Sequence, residues 1–441
     1  MRKIFIIISI LSIVSCSSSL EVHKKQNSFL KSTYKNVKIY ESEGFGLGPC
    51  EPSIFINPTN KNNMVAGSVL DNVHYSFDSG LTWETKKLVS DLGVFGDPCI
   101  VADHQGNFYY LHLSDPDKIG WRSHKILDQI VIQKSEDGGK SWSGGTGIGY
   151  NRPKQQDKEW AVVNPLNNEI YVTWTEFDKY GSKKPEDKSR ILFSKSVDGG
   201  NSFSTPIKLS QLEGNCMDDD LTTEGAVPSV GVNGEIYVAW SFNHKIYFDK
   251  SIDNGQNWLA EDVIITSQKS GWSTEIPGIG RSNGMPVTAV DHSNSKHRGT
   301  IYVNWTDDSN GKNNTDVFIS KSKNQGKTWS KPQKVNNDKS KTHQFLTWMS
   351  IDPTTGYIYI VYYDRNQLKN NQTDVTLAVS YNGGKKFVSK KISEKPFSAV
   401  SKDIFFGDYN NINALNGVIR PIWTHYENGK LSIFTAIINE N

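Results

Sequence analysis

The chain has 441 residues, 36% of them hydrophobic and 11% aromatic, enough for a large core in one domain if that domain is built of repeats. Its 49 basic and 47 acidic side chains leave a formal charge of +2, and no long basic run is present, which argues against nucleic acid as a partner. Few segments have helical periodicity, whereas short alternating runs such as Ile170-Tyr171-Val172-Thr173-Trp174 and Ile358-Tyr359-Ile360-Val361-Tyr362 read as strands.

The N-terminus opens with Met1-Arg2-Lys3 and an apolar run from Ile4 to Val14, an export signal too short to span a membrane. The run ends Ile13-Val14-Ser15-Cys16, which resembles the lipobox of bacterial lipoproteins. That resemblance implies a signal peptide over 1–16, acylation of Cys16, and an exported protein anchored to a bacterial membrane, periplasmic or at the cell surface. An ordinary signal peptide cut nearby is the alternative. Residues 17–35 then read as a flexible polar tether, and 36–441 as the folded domain.

Val37-Lys38-Ile39-Tyr40 reads as a first, isolated strand. Beyond it, seven short apolar strands begin just after a polar or Gly/Pro signal. These starts are Glu51-Pro52-Ser53, Asp97-Pro98-Cys99, Asp157-Lys158-Glu159-Trp160, Glu224-Gly225-Ala226, Gly284-Met285-Pro286, His343-Gln344-Phe345 and Gly407-Asp408-Tyr409. A second strand follows each, a third leads into a turn, and a fourth leaves it. Six of the turns share one pattern, Ser-x-Asp/Asn-x-Gly-x-x-Trp/Phe, opening at Ser76, Ser135, Ser196, Ser251, Ser322 and Ser380. The acid or amide can bond the turn backbone, the glycine supplies positive φ, and the aromatic packs beneath. A fixed period of this kind means one supersecondary unit repeated.

This turn is the Asp box, and the chain after residue 35 resembles the sialidase and BNR-repeat superfamily of β-propellers. Copies five and six carry Asn324 and Asn382 where the family has Asp; Asn still caps the turn. The resemblance implies an all-β propeller, a glycoside hydrolase ancestry and a carbohydrate partner. Known sialidases have six blades, whereas the seven strand starts predict seven. The seventh unit stops one strand short, so the strand at Val37–Tyr40 is expected to close the ring; six blades with an irregular C-terminal extension is the alternative. The family's first catalytic arginine lies in an Arg-Ile-Pro motif where this chain has Glu51-Pro52-Ser53. An acid there repels an anionic sugar, so no sialidase catalytic residue is carried over.

In a propeller the first strand of each blade lines the central channel, so the seven starts converge on one face. They nominate Asp97, Glu159, Glu224, His343, Asp408 and Tyr409 as catalytic candidates, with Asp157 as an alternative to Glu159. Glu51, Trp160, Trp348, Arg365 and His425 are the substrate-binding candidates, the two indoles as sugar platforms. Paired carboxylates suit a glycosidase, acid and base being split by environment. His343, His425, Tyr409 and Arg365 suit a polysaccharide lyase. A third reading is a glycan- or protein-binding propeller without chemistry, and a fourth is that these acids only cap turns and bridge blades. Asp218-Asp219-Asp220 is a candidate for Ca²⁺, as are the strand-start carboxylates around the channel; no cofactor is required, and no two histidines have zinc-ligand spacing. Besides Cys16 there are Cys50, Cys99 and Cys216; oxidising surroundings suggest a Cys50–Cys99 disulfide, with three buried thiols as the alternative. The protein is expected to be a monomer.

Overall fold

The computed structural model describes residues 21–42, 47–398, 400 and 404–440. Seven antiparallel sheets of at least four strands follow one another in the chain and form a seven-bladed β-propeller, not a six-bladed one. Blades one to six have innermost strands Ser53–Ile56, Cys99–Ala102, Gln155–Val163, Glu224–Val230, Val287–Val290 and Gln344–Ile351. In blade seven the order from the axis outward is Asn411–Leu415, Val418–Glu427, Lys430–Ala436 and then Asn36–Glu41. The N-terminal strand therefore closes the ring, in a register running from Asn36 opposite Ala436 to Glu41 opposite Ser432. Without it the strand at Lys430–Ala436 would present unpaired amides and carbonyls to solvent.

Apolar residues on both faces of the middle strands let each blade pack against two neighbours. Trp174, Trp240, Trp305 and Trp423 recur near the ends of second strands and are at most 1% exposed. Burying an indole of this size stabilises by roughly 1.5–3 kcal/mol or more. The repeated turns are locked as their sequence demands. In the first, Asp78 Oδ1 accepts from Ser76 Oγ at 2.8 Å and from the Thr82 amide at 2.9 Å, and the Trp83 indole donates to the Gly80 carbonyl. Asn324 does the same work with its amide, its Oδ1 accepting from Ser322 Oγ and the Thr328 amide, both at 2.9 Å.

The turn glycines also set the spacing between blades. Gly326 has φ +79°, and a β-carbon there would lie 2.1 Å from Cε1 of Phe248 in the preceding blade. Gly326→Ala is expected to lower stability by about 2–4 kcal/mol, combining left-handed strain with overpacking, as read by urea denaturation. Arg420, fully buried, joins the last blade to the first: its Nε and Nη2 donate to the Ser79 carbonyl and its Nη1 to the Ile438 carbonyl at 2.7 Å.

Two expectations are corrected here. Residues 21–31, within the proposed tether, are helical and docked. Phe29, 3% exposed, enters the core seven residues after Val22, and Lys390 caps the helix end through the carbonyls of Phe29, Leu30 and Ser32. A spacing of seven puts both apolar side chains on one helical face, a signal too short to stand out in a polar segment. Cys50, Cys99 and Cys216 are buried free thiols, so the Cys50–Cys99 disulfide is not made. Cys99 opens an inner strand, as Ser53 does; Cys50 stands three residues earlier in its own repeat, beside Gly407. The signal sequence and Cys16 lie outside the described residues.

Candidate active site

The start of each inner strand does not run straight. Register shifts interrupt pairing between Asp157 and Trp160, between Glu224 and Val227, and between Phe345 and Trp348. At the matching point Glu51, Asp97, Lys158 and Leu346 adopt φ of +51°, +53°, +56° and +47°, and Gly225 has φ +72°. A bulge of this kind re-aims side chains away from the ladder. Here it turns polar residues from several blades toward one cavity of about 250 Å³ on a single face of the ring.

Glu51, Asp97, Asp157, Lys158, Arg281 and Asp408 line the polar part of this cavity. Its other wall is apolar, from Leu47, Val69, Leu70, Phe95, Leu113, Leu127 and Phe405. Trp121 and Tyr180 stand at 5.4 Å from each other, Trp121 packs edge-on to Phe95, and it remains 57% exposed. Lys158 is the hub of the charges. Its Nζ lies 3.1 Å from Asp97 and 2.8 Å from Asp408. Arg281 reaches Asp408 and Asp218 at 2.7 Å each.

Seven acids near two cations cannot all ionise cheaply. Burial pushes the Glu51 carboxyl well above the usual range, with Asp97 adding to it. Burial does the same to Glu159 and Glu224, which lie beside the cavity with both carboxyl oxygens unpartnered among the described residues. Asp157 is pushed up to about 7 by burial, against the pull of Lys158. Asp408 goes the other way: burial raises it, but Arg281 and Lys158 outweigh burial and hold it below the ordinary carboxylate range. Lys158 stays charged because Asp408, Asp97 and Asp157 outweigh the effect of its burial.

The raised Asp157 has a thermodynamic consequence. Its folded value of about 7 lies above the unfolded value of about 4, so its ionisation opposes folding. The penalty is absent below about pH 4, grows as pH rises and is complete above about 7. Asp157→Asn is expected to gain stability over the native chain at pH 8 relative to pH 5, by on the order of 2 kcal/mol in urea titrations. An equal difference at both pH values would mean that Asp157 ionises freely in the fold.

The phase of the repeat thus brings together Glu51, Asp97, Asp157 and Asp408, with Glu159 and Glu224 just outside. Several other candidates are elsewhere. Trp160, Trp348 and Tyr409 are at most 7% exposed and pack on one another, Trp160 with its centroid 4.4 Å from Trp348 and 4.8 Å from Tyr409. They plug the channel and offer no sugar platform, because their positions fall inside the ring where channel-facing side chains meet. The Tyr409 hydroxyl donates to the Pro98 carbonyl. His343 is held by Thr315 at 2.9 Å and lowered to about 4 by burial and Arg365. Arg365 donates to the Pro277 carbonyl and Thr373 Oγ1 and stacks over Phe345. His425 packs between Phe397 and Phe434. None of the three lines the cavity, since their positions lie between blades, not on the axis.

The Ca²⁺ candidate is also corrected. Asp218 accepts from the Tyr180 hydroxyl and pairs with Arg281, Asp219 caps its own turn through the Leu221 amide, and Asp220 accepts from the Ser273 amide. Three adjacent acids facing three ways make no cage, and among the described residues no three His, Cys, Asp or Glu side chains are grouped to hold a metal. Lys158, Arg281, Tyr180 and Trp121 were not among the candidates. Lys158 was legible in principle, as it occupies the same repeat position as Glu51 and Asp97; the others come from loops without periodic signal.

No protein-family model matches the chain, and no curated protein matches it in sequence. Among solved structures it is similar to a polysaccharide lyase of family PL25, an ulvan lyase bound to -[GlcA(1-4)Rha3S]-, at 14% identity, covering 92% of this chain and 96% of that one with TM-score 0.55. A protein of unknown function from Dyadobacter fermentans matches at 13% identity over 93% and 99% of the two chains, TM-score 0.52. The Hadza microbial sialidase Hz136 matches at 13% identity over 85% and 73%, TM-score 0.47. The first two likenesses, at identities this low, speak for a shared fold alone.

Proposed function

We propose that the protein is a glycan-processing enzyme of glycoside-hydrolase type, acting in the acid-lined cavity. One observation carries the reading: Asp157 and Asp408 line the same cavity, and their environments drive them in opposite directions. A carboxyl protonated up to about pH 7 can give a proton to a leaving glycosidic oxygen. A carboxylate kept ionised can stabilise or capture the positive charge that develops on the sugar. The exposed Trp121 beside Phe95 supports it, as an aromatic rim fits the CH face of a sugar ring. A lyase would draw on His343, Arg365 and His425, which are committed to other contacts outside the cavity.

Soluble oligosaccharides and aryl glycosides, screened with product analysis by chromatography, test this directly. On whichever substrate is cleaved, Asp157→Asn is expected to lower kcat about a hundredfold while KM stays within a few-fold. A glycan that binds in the cavity and is never cut would leave the binding-only reading. As part of the same proposal, the six repeated turns are Asp boxes of the sialidase and BNR kind, and Cys16 carries acyl chains that hold the exported protein on a bacterial membrane. Cys16→Ser should then move the protein from the membrane to the soluble fraction; a native chain already soluble after export overturns the anchor.

A further inference from the structure

We propose that the cavity selects a sugar bearing a free, protonated amine, a hexosamine unit, over acidic sugars such as uronates and sialic acids. The inference rests on the carbohydrate reading of the same site and adds its charge preference. Four carboxyl side chains, Glu51, Asp97, Asp157 and Asp408, line the cavity against two cations, Lys158 and Arg281. Both cations are already committed. Lys158 sits between Asp97 and Asp408, at 3.1 and 2.8 Å, and Arg281 between Asp408 and Asp218, at 2.7 Å each. A substrate carboxylate would have to break one of these pairs in a desolvated site and leave an acid exposed to it.

An ammonium group meets the opposite situation. Glu51 is 1% exposed; its Oε1 accepts from the Asp408 amide at 2.9 Å, while Oε2 has no partner among the described residues. An unpartnered carboxyl oxygen at that depth is unfavourable until a donor reaches it. The site's own two cations are already paired, so an amine on the sugar brings three N–H donors that are free to reach Glu51, and a positive charge against which its carboxyl can ionise. The apolar wall of Val69, Leu70 and Phe95 remains for the CH face of the ring.

Calorimetry on the intact chain at about pH 6, where amines are charged, tests this with three oligosaccharide series of equal length. They are glucosamine oligomers, their N-acetylated counterparts and galacturonate oligomers. The amine series is expected to bind at least about tenfold tighter than the N-acetylated one, with the galacturonates weakest. Glu51→Gln should reduce the advantage of the amine series over the N-acetylated one to less than about threefold. Tight galacturonate binding overturns the inference. So does equal binding of amine and N-acetylated series, although the carbohydrate reading then stands. Binding of a simple amine such as cyclohexylamine with no sugar binding supports the charge preference and removes the carbohydrate reading instead.

Discussion

Replacing Lys158 by methionine is expected to destabilise the protein by about 3–5 kcal/mol at pH 8 and by much less at pH 5. Methionine keeps the length and the apolar stem, so the change isolates the charge. In the native chain the ammonium lies within 3.1 Å of two carboxylates and is 6% exposed, where water cannot substitute for it. Removing one partner of a buried ion pair leaves the other uncompensated, which is the expensive way to break such a pair. Asp408 retains Arg281, but Asp97 loses the cation it faces, and Glu51, Asp157 and Glu159 lose the field that offset their burial. The sign of the pH effect follows. With Lys158 gone, acids in the folded state are harder to ionise than in the unfolded chain, so the variant loses stability as pH rises above about 4. Urea titrations of both proteins at pH 5 and pH 8 measure the difference. A deficit below about 1 kcal/mol, or one equal at both pH values, would mean that the acids do not depend on Lys158.

That cluster also shows how far the sequence reaches. Repetition made the fold legible: six copies of one turn and seven recurring strand starts specify blades before any geometry is known. The missing strand of the last blade was legible for a different reason, since an open edge is unfavourable and only one unused strand precedes the first blade. The repeat phase also placed Glu51, Asp97, Asp157 and Asp408 on one face. Phase alone, however, cannot say which way a side chain turns. Only two residues separate Asp157 from Trp160, yet the acid lines the cavity and the indole plugs the channel, because a bulge falls between them. The histidines mark a second limit. His343 and His425 sit at recurring positions, but those positions pack between blades, where burial lowers both rings from their ordinary value and aromatic or hydroxyl neighbours fix them. Arg281 and Tyr180 mark a third. They belong to long loops whose path depends on tertiary contacts with Asp218 and Asp408, and no local pattern records such contacts.

The closure of the ring supplies the other large effect. Arg420→Met is expected to cost about 3–5 kcal/mol and to speed hydrogen exchange in the strands Asn36–Glu41 and Lys430–Ala436 before it does so elsewhere. A propeller is held together by neighbour contacts around the circle, and the joint between first and last blades is where the two ends of the fold meet, the strand that leads into blade one being paired into blade seven. Two devices act there. The Asn36–Glu41 strand pairs into blade seven, and Arg420 reaches across to the Ser79 carbonyl in the turn of blade one. Burial lowers the arginine to about 10, still far above neutral, so it crosses the joint as a cation. It is bonded mainly to backbone carbonyls, so removing the guanidinium takes a charged donor from several buried acceptors at once. The exchange pattern distinguishes a joint from an ordinary core contact. If Arg420 only fills space, its loss lowers protection evenly through blades one and seven; if it fastens the ring, the outermost two strands of blade seven open first and the inner strand Asn411–Leu415, which lines the channel and contacts its neighbours on both sides, stays protected longest.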